Sequence, residues 1–529
     1  FKNAIYAIEA PANDSTWSIE DARNSVIVYK PSYALNASGP HLHDQRTGEI
    51  LQARINWYHN VMQLVHDWYM IQVGPNDPRA RHMQLEDSLM GKLIRFVSSH
   101  EIGHTLGLRH NFGASSCVPV EKLRDKKWVE ENGFCPSIMD YARFNYVAQP
   151  EDNISEKGLM PRIGVYDEWA IEWGYKWLPH LKTEKESVEY MAKWATKRIA
   201  KDKRLWYGNE GVKSDARCQS EDIGDDAVKA GEYGIKNLKR VVAGLKEWTY
   251  QPAEDYTALR SLFRQTHEQF KRYLFHAANW IGATNVTPRK NDEEGVIFTF
   301  PSKQKQKEVV IFLHQQLFET PEWLINRELF TLAGMGTGYD IGAMQRDILQ
   351  KLLSNGLLGQ FEFSRMANPG DAYSTGELLT DLEAGIFKEI KQKKPIDEYR
   401  RTLQRIYVMQ LLKVLDPNME GVVDLSFRDF SILPWARRMD LHAIVKGHLK
   451  ELVQMIDAAA PSYKDKLSKY HFADIKDKIK QALNIDKSEK DKSQQNAQAL
   501  KPVSIDYMEW IREQSLYSNW KGCTLMTNE

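Results

Sequence analysis

Apolar and polar positions in the first hundred residues follow strand spacing and then helix spacing. Three short apolar-rich runs between turn residues predict strands at residues 4–9, 25–30 and 49–57. Residues 59–73 carry apolar positions three and four apart, which predicts a helix. A Gly-Pro-Asn-Asp-Pro break follows at residues 74–78, and a second helical pattern begins at about Asp87.

The second helix extends its apolar face into two histidines. Its apolar stripe runs from Leu89 to Val97, and His100 and His104 continue it. Residues four apart lie on one face of a helix, so both imidazoles can point at one ion. Glu101 lies beside them, which is where a general base must be to take a proton from water on a zinc ion.

A third histidine follows at a spacing that suits the same ion. Gly107 can adopt positive φ and end the helix, after which the chain turns and reaches His110. A single histidine on an apolar face is usually a satisfied core residue, and a bare His-Glu-x-x-His pattern often occurs by chance. With the glycine and the third histidine added, the pattern predicts a catalytic Zn²⁺ site formed by His100, His104 and His110.

Residues 100–110 match the zinc signature of the metzincin metallopeptidases position for position, and the chain resembles that clan. The resemblance implies that Met139, within Ser137–Tyr141, forms a Met-turn beneath the metal. Taken alone, Met139 would be an ordinary core methionine. The resemblance also implies that Tyr141 ligates the metal or stabilises the oxyanion. Residues 106–112, 137–150 and 169–175 further resemble large bacterial zinc metalloproteases. Members of that family are exported (periplasmic, cell-surface or secreted) and have additional domains before and after the catalytic one. The resemblance implies export of this chain and upstream domains of the same protein.

The pattern and the resemblance together predict an α+β protein. Residues 1–180 are expected to form a metzincin-like domain with a mixed twisted sheet, the zinc helix and the Met-turn. A mostly α-helical region is expected over 181–485, and a polar linker with a terminal helix over 486–529. The resemblance also implies that the first strand and helix of the domain lie upstream of Phe1.

The resemblance implies a substrate-binding edge strand before the zinc helix. By order along the chain the candidate is the segment 38–44, with Gly39, Pro40, His41 and Leu42 at its centre. Such a strand binds peptides through unpaired main-chain groups. The alternative is a hairpin connection whose edge is covered. The three-histidine site needs neither His41 nor His43, so both are expected to be surface residues.

Two further features leave alternatives open. Cys117 and Cys135 bracket the loop between His110 and the expected Met-turn, and they could form a disulfide or remain two free buried thiols. The acidic run Glu221–Asp226 could bind Ca²⁺. A solvated helix N-terminus suits it better, because carboxylates are favoured there.

Composition narrows the classes of function. The 71 basic and 71 acidic residues give zero net charge, which does not favour nucleic acid as a partner. No apolar run approaches the length of a membrane span. The sequence therefore predicts a zinc-dependent endopeptidase acting on proteins or peptides. The alternatives are a scaffold or binding protein with a non-catalytic zinc site, and a zinc hydrolase acting on a non-peptide amide.

Overall fold

The computed structural model describes residues 5–211, 214–334, 341–415 and 440–492. A small mixed sheet lies near the start of the chain, and helices make up most of the remainder. The strands are β1 (Val26–Lys30), β2 (Ala37–Ser38), β3 (His41–His43), β4 (Ile50–Tyr58), β5 (Asn285–Val286) and β6 (Phe298–Thr299).

Strand β4 is the centre of the sheet. It pairs in parallel with β1, with Ile27 opposite Ile55, and it pairs antiparallel with both β2 and β3 on its other side. Within the described residues no further strand pairs with the outer edge of β3. The sheet is thus mixed, as predicted, and its β2–β3 side has an available edge.

The helices follow the sheet in a long series. They are α1 (Val61–Val73), α2 (Asp87–Thr105), α3 (Lys126–Asn132), α4 (Glu156–Leu159), α5 (Val165–Tyr175), α6 (Glu184–Lys201), α7 (Ala227–Trp248), α8 (Thr257–Ala278), α9 (Lys303–Leu313), α10 (Arg327–Ala333), α11 (Ile341–Leu352), α12 (Asn355–Ala367), α13 (Thr375–Ile386), α14 (Lys388–Gln392), α15 (Glu398–Leu415), α16 (Leu441–Ala459) and α17 (Lys466–Lys492). Among the described residues, no helix has the length and apolar character needed to cross a bilayer.

One cluster of buried apolar side chains connects helix α2, in the predicted catalytic region, with the helices of the region that follows residue 180. It includes Leu89 and Leu93 of α2, Val241 of α7, and residues as far along the chain as Ile479 of α17. Burial of this many apolar side chains is the main favourable contribution to folding. The predicted division between residues 180 and 181 stays a prediction, and this core crosses it.

Several predicted elements differ from the structure. Residues 5–9 form no strand, and Ile5, Tyr6 and Ile8 are exposed. A β-rich composition does not supply a partner strand, so the run stays irregular. Residues 486–492 belong to α17, where a flexible linker was expected. The rest of that linker and the predicted terminal helix lie outside the described residues.

Candidate metal centre

The three predicted histidines lie together in the structure. One ligand nitrogen from each of His100, His104 and His110 lies within 4.8 Å of the others. Among the described residues, no other three His, Cys, Asp or Glu side chains place their ligand atoms this close together. His100 and His110 are buried and His104 is half-buried, so the site is mostly shielded from water.

Each histidine donates its Nδ1–H to an acceptor of the protein. The acceptors are the carbonyl oxygen of Ile138 for His100 (2.8 Å), that of Leu108 for His104 (2.9 Å), and Glu210 Oε2 for His110 (2.6 Å). These bonds place the proton on Nδ1 and leave the Nε2 lone pair of each ring available as a ligand.

The Nε2 atoms are the ones that fit a metal ion. His104 Nε2 and His110 Nε2 lie 3.1 Å apart, and His100 Nε2 is buried without a protein partner. Two nitrogen lone pairs this close repel each other unless a cation lies between them. Tetrahedral zinc with bonds of 2.0–2.1 Å places its nitrogen ligands about 3.3 Å apart. The donor set and its spacing therefore suit Zn²⁺.

Glu101 lies on α2 directly beside the histidines. Its Oε2 is buried and has no hydrogen-bond partner. Burial raises the pKa of Glu101 to about 7, and a hydrogen bond from the backbone N–H of Gly39 opposes that rise. An available carboxylate oxygen at this position can exchange a proton with a molecule that binds beside the histidines.

The turn at Ser137–Asp140 lies beneath the histidines. A Cβ on Gly103 would collide with the Met139 sulfur, so glycine at this point of α2 allows the methionine to pack against the helix. Met139 is fully buried, and its carbonyl oxygen accepts the Asn111 N–H at 3.1 Å. The turn thus contacts both the helix and the segment that carries the third histidine.

Asp167 of α5 holds that turn in place. It accepts hydrogen bonds from Ser137 Oγ (2.6 Å), from the Ile138 N–H (2.7 Å) and from the Gly164 N–H (2.8 Å). Asp167 was not predicted as a site residue, although it occupies the N3 position of α5, where acidic residues often bond backbone N–H groups.

Tyr141 packs against two of the histidines. Its ring centroid lies 4.6 Å from that of His110 and 5.3 Å from that of His100, and Phe112 packs on it from the other side at 5.3 Å. The structure therefore brings the predicted tyrosine to the histidine cluster.

The candidate edge strand lies against the C-terminal half of α2. Gly39 and Pro40 are in the connection between β2 and β3, while His41 and Leu42 are in β3 itself. A Cβ on Gly39 would come within 3.2 Å of Glu101 Cα and closer still to its carbonyl group, so only glycine permits this approach. His41 is half-buried, and its Nδ1–H donates to the His104 carbonyl oxygen at 2.8 Å. His43 is exposed, as expected.

The sequence left two alternatives open for Cys117 and Cys135, a disulfide or two free thiols. Cys117 and Cys135 are free thiols, so the disulfide alternative is not the one observed. Their sulfurs contact different carbonyl groups, those of Gly113 and Ser137. Burial raises the pKa of Cys117 to about 11, which keeps it a neutral thiol.

The acidic run at 221–226 does not converge on one point. Asp226 is the N-cap of α7, as the helix interpretation predicted, and Asp225 accepts the Val120 N–H. Glu221 is buried between Arg143 and Arg272, contrary to the expectation of a solvated face. These contacts favour the helix N-terminus for Asp226, and Ca²⁺ binding by the run stays a prediction.

The sequence analysis also missed Glu210. It lies 100 positions after His110, in a short Trp-Tyr-Gly-Asn-Glu-Gly turn with no apolar periodicity. A single acidic residue in a turn carries no signal of its tertiary partner, so the contact could be found only in the structure.

Comparison with known proteins agrees with this geometry. A family model described as Met-zincin matches residues 82–394, a range that includes all three histidines, Met139 and Glu210. No curated protein and no solved structure matched the chain. Because the matched range covers more than half of the 529 residues, the chain belongs to the Met-zincin family.

Proposed function

We propose that this protein is a zinc-dependent endopeptidase in which His100, His104 and His110 hold the ion and Glu101 is the general base. Membership of the Met-zincin family implies a zinc-dependent metallopeptidase. The observation that carries the finer proposal is the convergence of three imidazole nitrogens beside a buried carboxylate oxygen without a protein partner.

His100, His104 and His110 would hold zinc as neutral imidazoles, and the ion would supply Lewis-acid activation of the reacting carbonyl and of water. Glu101 takes the proton of the attacking water on Oε2 and later gives it to the nitrogen of the departing amine. Its place on the rigid helix α2 and the Gly39 N–H fix the direction of the carboxylate during both transfers.

Two neighbouring elements complete the proposed site. The segment Ser137–Tyr141 acts as the Met-turn, an assignment that the packing of Met139 against Gly103 supports. The Tyr141 phenol donates a hydrogen bond to the developing oxyanion, which its packing against His100 and His110 supports.

Peptide binding is assigned to the edge of β3. An extended substrate that pairs with this strand uses main-chain hydrogen bonds on both sides of the bond to be cut, which favours internal peptide bonds over chain ends. The side chains of Leu42 and His43 are exposed along that edge. Export from the cytoplasm, which the resemblance implies, stays a prediction.

The test is the substitution Glu101→Gln in the full chain. Loss of the base should lower kcat by about 10²–10⁴-fold while zinc content stays at that of the wild type. Activity is measured on a mixture of unfolded proteins, with the cut sites read by mass spectrometry. Undiminished turnover in the variant would refute the mechanism.

The same digest separates the alternative functions. Internal fragments that disappear with a chelator support an endopeptidase. Zinc binding without any peptide cleavage would favour a scaffold, or a hydrolase acting on a non-peptide amide.

A further inference from the structure

The third histidine is held by a segment that lies about one hundred residues further along the chain. We call residues Trp206–Glu210 the strap. Glu210 Oε2 accepts the Nδ1–H of His110 at 2.6 Å, and Glu210 Oε1 lies 3.7 Å from the Arg109 guanidinium. The Glu210 side chain is 33% exposed, while that of His110 is 5% exposed. The carboxylate therefore approaches the imidazole from the solvent side.

The strap is fixed to the His110 segment by its backbone. Asn111 Oδ1 accepts the Gly208 N–H at 2.7 Å, and Asn111 Nδ2 donates to the Trp206 carbonyl oxygen at 3.0 Å. Asn111 and Asn209 also form an antiparallel β-bridge. This register sets Glu210 opposite His110.

Two glycines make that approach possible. A Cβ on Gly208 would lie 2.5 Å from Gly113 Cα, and a Cβ on Gly113 would lie 2.7 Å from Gly208 Cα and also collide with the Trp206 ring. Real Cβ atoms do not come this near to backbone atoms, so any side chain at either position would separate the two segments.

The three histidines differ in the kind of group that orients them. His100 and His104 donate to main-chain carbonyls, whereas His110 alone donates to a carboxylate. A carboxylate on Nδ1–H fixes the ring and the tautomer, and its charge makes Nε2 a stronger base and a stronger ligand.

We propose that Glu210 is a positioning residue for His110 and that the strap sets the zinc affinity of the three-histidine site. The inference rests on the proposed function only in taking zinc as the ion. It also means that the metal centre includes a residue well beyond the predicted catalytic region of residues 1–180.

The test compares Glu210→Ala and Glu210→Gln with a matched control, Glu189→Gln. Glu189 is an exposed residue of α6, 4.0 Å from its nearest cation. The zinc dissociation constant of the full chain is measured by competition with a chromogenic chelator. We expect the alanine variant to bind zinc about 10–100-fold more weakly, and the glutamine variant to show a smaller loss because its amide oxygen still accepts. The control should match the wild type.

Two further readouts separate positioning from a general loss of structure. The melting temperature of the metal-free protein reports stability alone and should change little in Glu210→Gln, which keeps the size of the side chain. The visible absorption bands of bound Co²⁺ report ligand geometry, and they should shift in both Glu210 variants. Zinc affinity within about twofold of the wild type in both variants would overturn the proposal.

Gly208→Ala tests the strap without altering a charged group. Displacing the strap should weaken zinc binding about as much as Glu210→Ala does, and adding Glu210→Ala to it should cause little further loss. Full additivity of the two substitutions would contradict the idea that Gly208 acts through Glu210. None of these measurements uses peptidase activity, so they stand even if Glu101→Gln shows that the protein is not a peptidase.

Discussion

Buried histidines occur in two regions of this molecule. The two groups differ in which atoms lie next to their ring nitrogens. In the metal centre, the three Nε2 atoms face one another. In the helical region, His276 donates Nε2–H to the Ser220 carbonyl oxygen at 2.9 Å, and His448 Nε2 bonds the Tyr407 hydroxyl at 2.7 Å. His276 Nδ1 is also buried without a hydrogen-bond partner, but it lies in no group of metal-ligating side chains within the described residues.

The pKa values do not separate the two regions. Burial lowers the pKa of both His104 and His276 to about 4. Helix packing alone can therefore produce a buried neutral imidazole in which only one ring nitrogen has a hydrogen-bond partner. The convergence of three such nitrogens is what distinguishes a metal centre from a packed core.

The largest expected effect comes from removing one histidine in each region. His104→Ala should abolish stoichiometric zinc binding and peptidase activity together, because two imidazoles leave the ion without its third protein ligand. His276→Ala should keep one zinc per chain and lose stability only. Metal analysis of desalted protein checks both. Equal zinc loss in the two variants would contradict the assignment of His104 as a metal ligand and His276 as a structural residue.

A second prediction uses pH to expose the structural histidine. The folded protein holds His276 neutral, while the unfolded chain takes up a proton below about pH 6.5. The free energy of unfolding should therefore fall as the pH drops from about 6.5 to about 4, by up to about 3 kcal/mol for this one residue.

His276→Gln keeps a donor for the Ser220 carbonyl but does not titrate. Urea unfolding at pH 7.5 and 4.5 should show a smaller acid-induced loss of stability in this variant than in the wild type. The exposed His180, changed to Gln, is the control and should leave the loss unaltered. A wild-type pH dependence in His276→Gln would contradict the assignment.

The smallest expected effect concerns the contact between the edge strand and Glu101. Gly39→Ala would force its Cβ into the Glu101 backbone, which should cost about 1–3 kcal/mol of stability and lower kcat without loss of zinc. Gly91→Ala on α2, the helix that carries Glu101, is the control, because its Cβ would meet no atom within 4 Å. It should stabilise the protein by about 0.4–1 kcal/mol. If both variants lowered kcat equally, the edge contact would have no specific role.

Local sequence patterns predicted the elements whose signals are contained within one segment. The stripe from Leu89 to Val97 predicted α2 and the shared face of His100 and His104, and Gly107 has the positive φ expected of it. The helix itself ends two residues earlier, at Thr105. Strand β4 and helix α1 also begin within two residues of their predicted starts.

The remaining features depend on partners that are distant along the chain. No periodicity connects Glu210 to His110 or Asp167 to the Met139 turn, and composition could not show that residues 5–9 lack a partner strand. Helix α6 lies in the region that was expected to be mostly helical, but its individual position was not predicted. It buries no side chain completely, but its Thr183–Glu186 capping box is visible in the sequence and would have located its start.

The most direct test of the central claim is a crystal structure of the zinc-loaded full-length protein with an anomalous map at the zinc edge. The account predicts one ion bound to Nε2 of His100, His104 and His110 at about 2.0–2.1 Å, with no fourth protein ligand and with Glu210 still bonded to His110. An ion fully enclosed by protein ligands, or histidine rings turned away from one another, would contradict it.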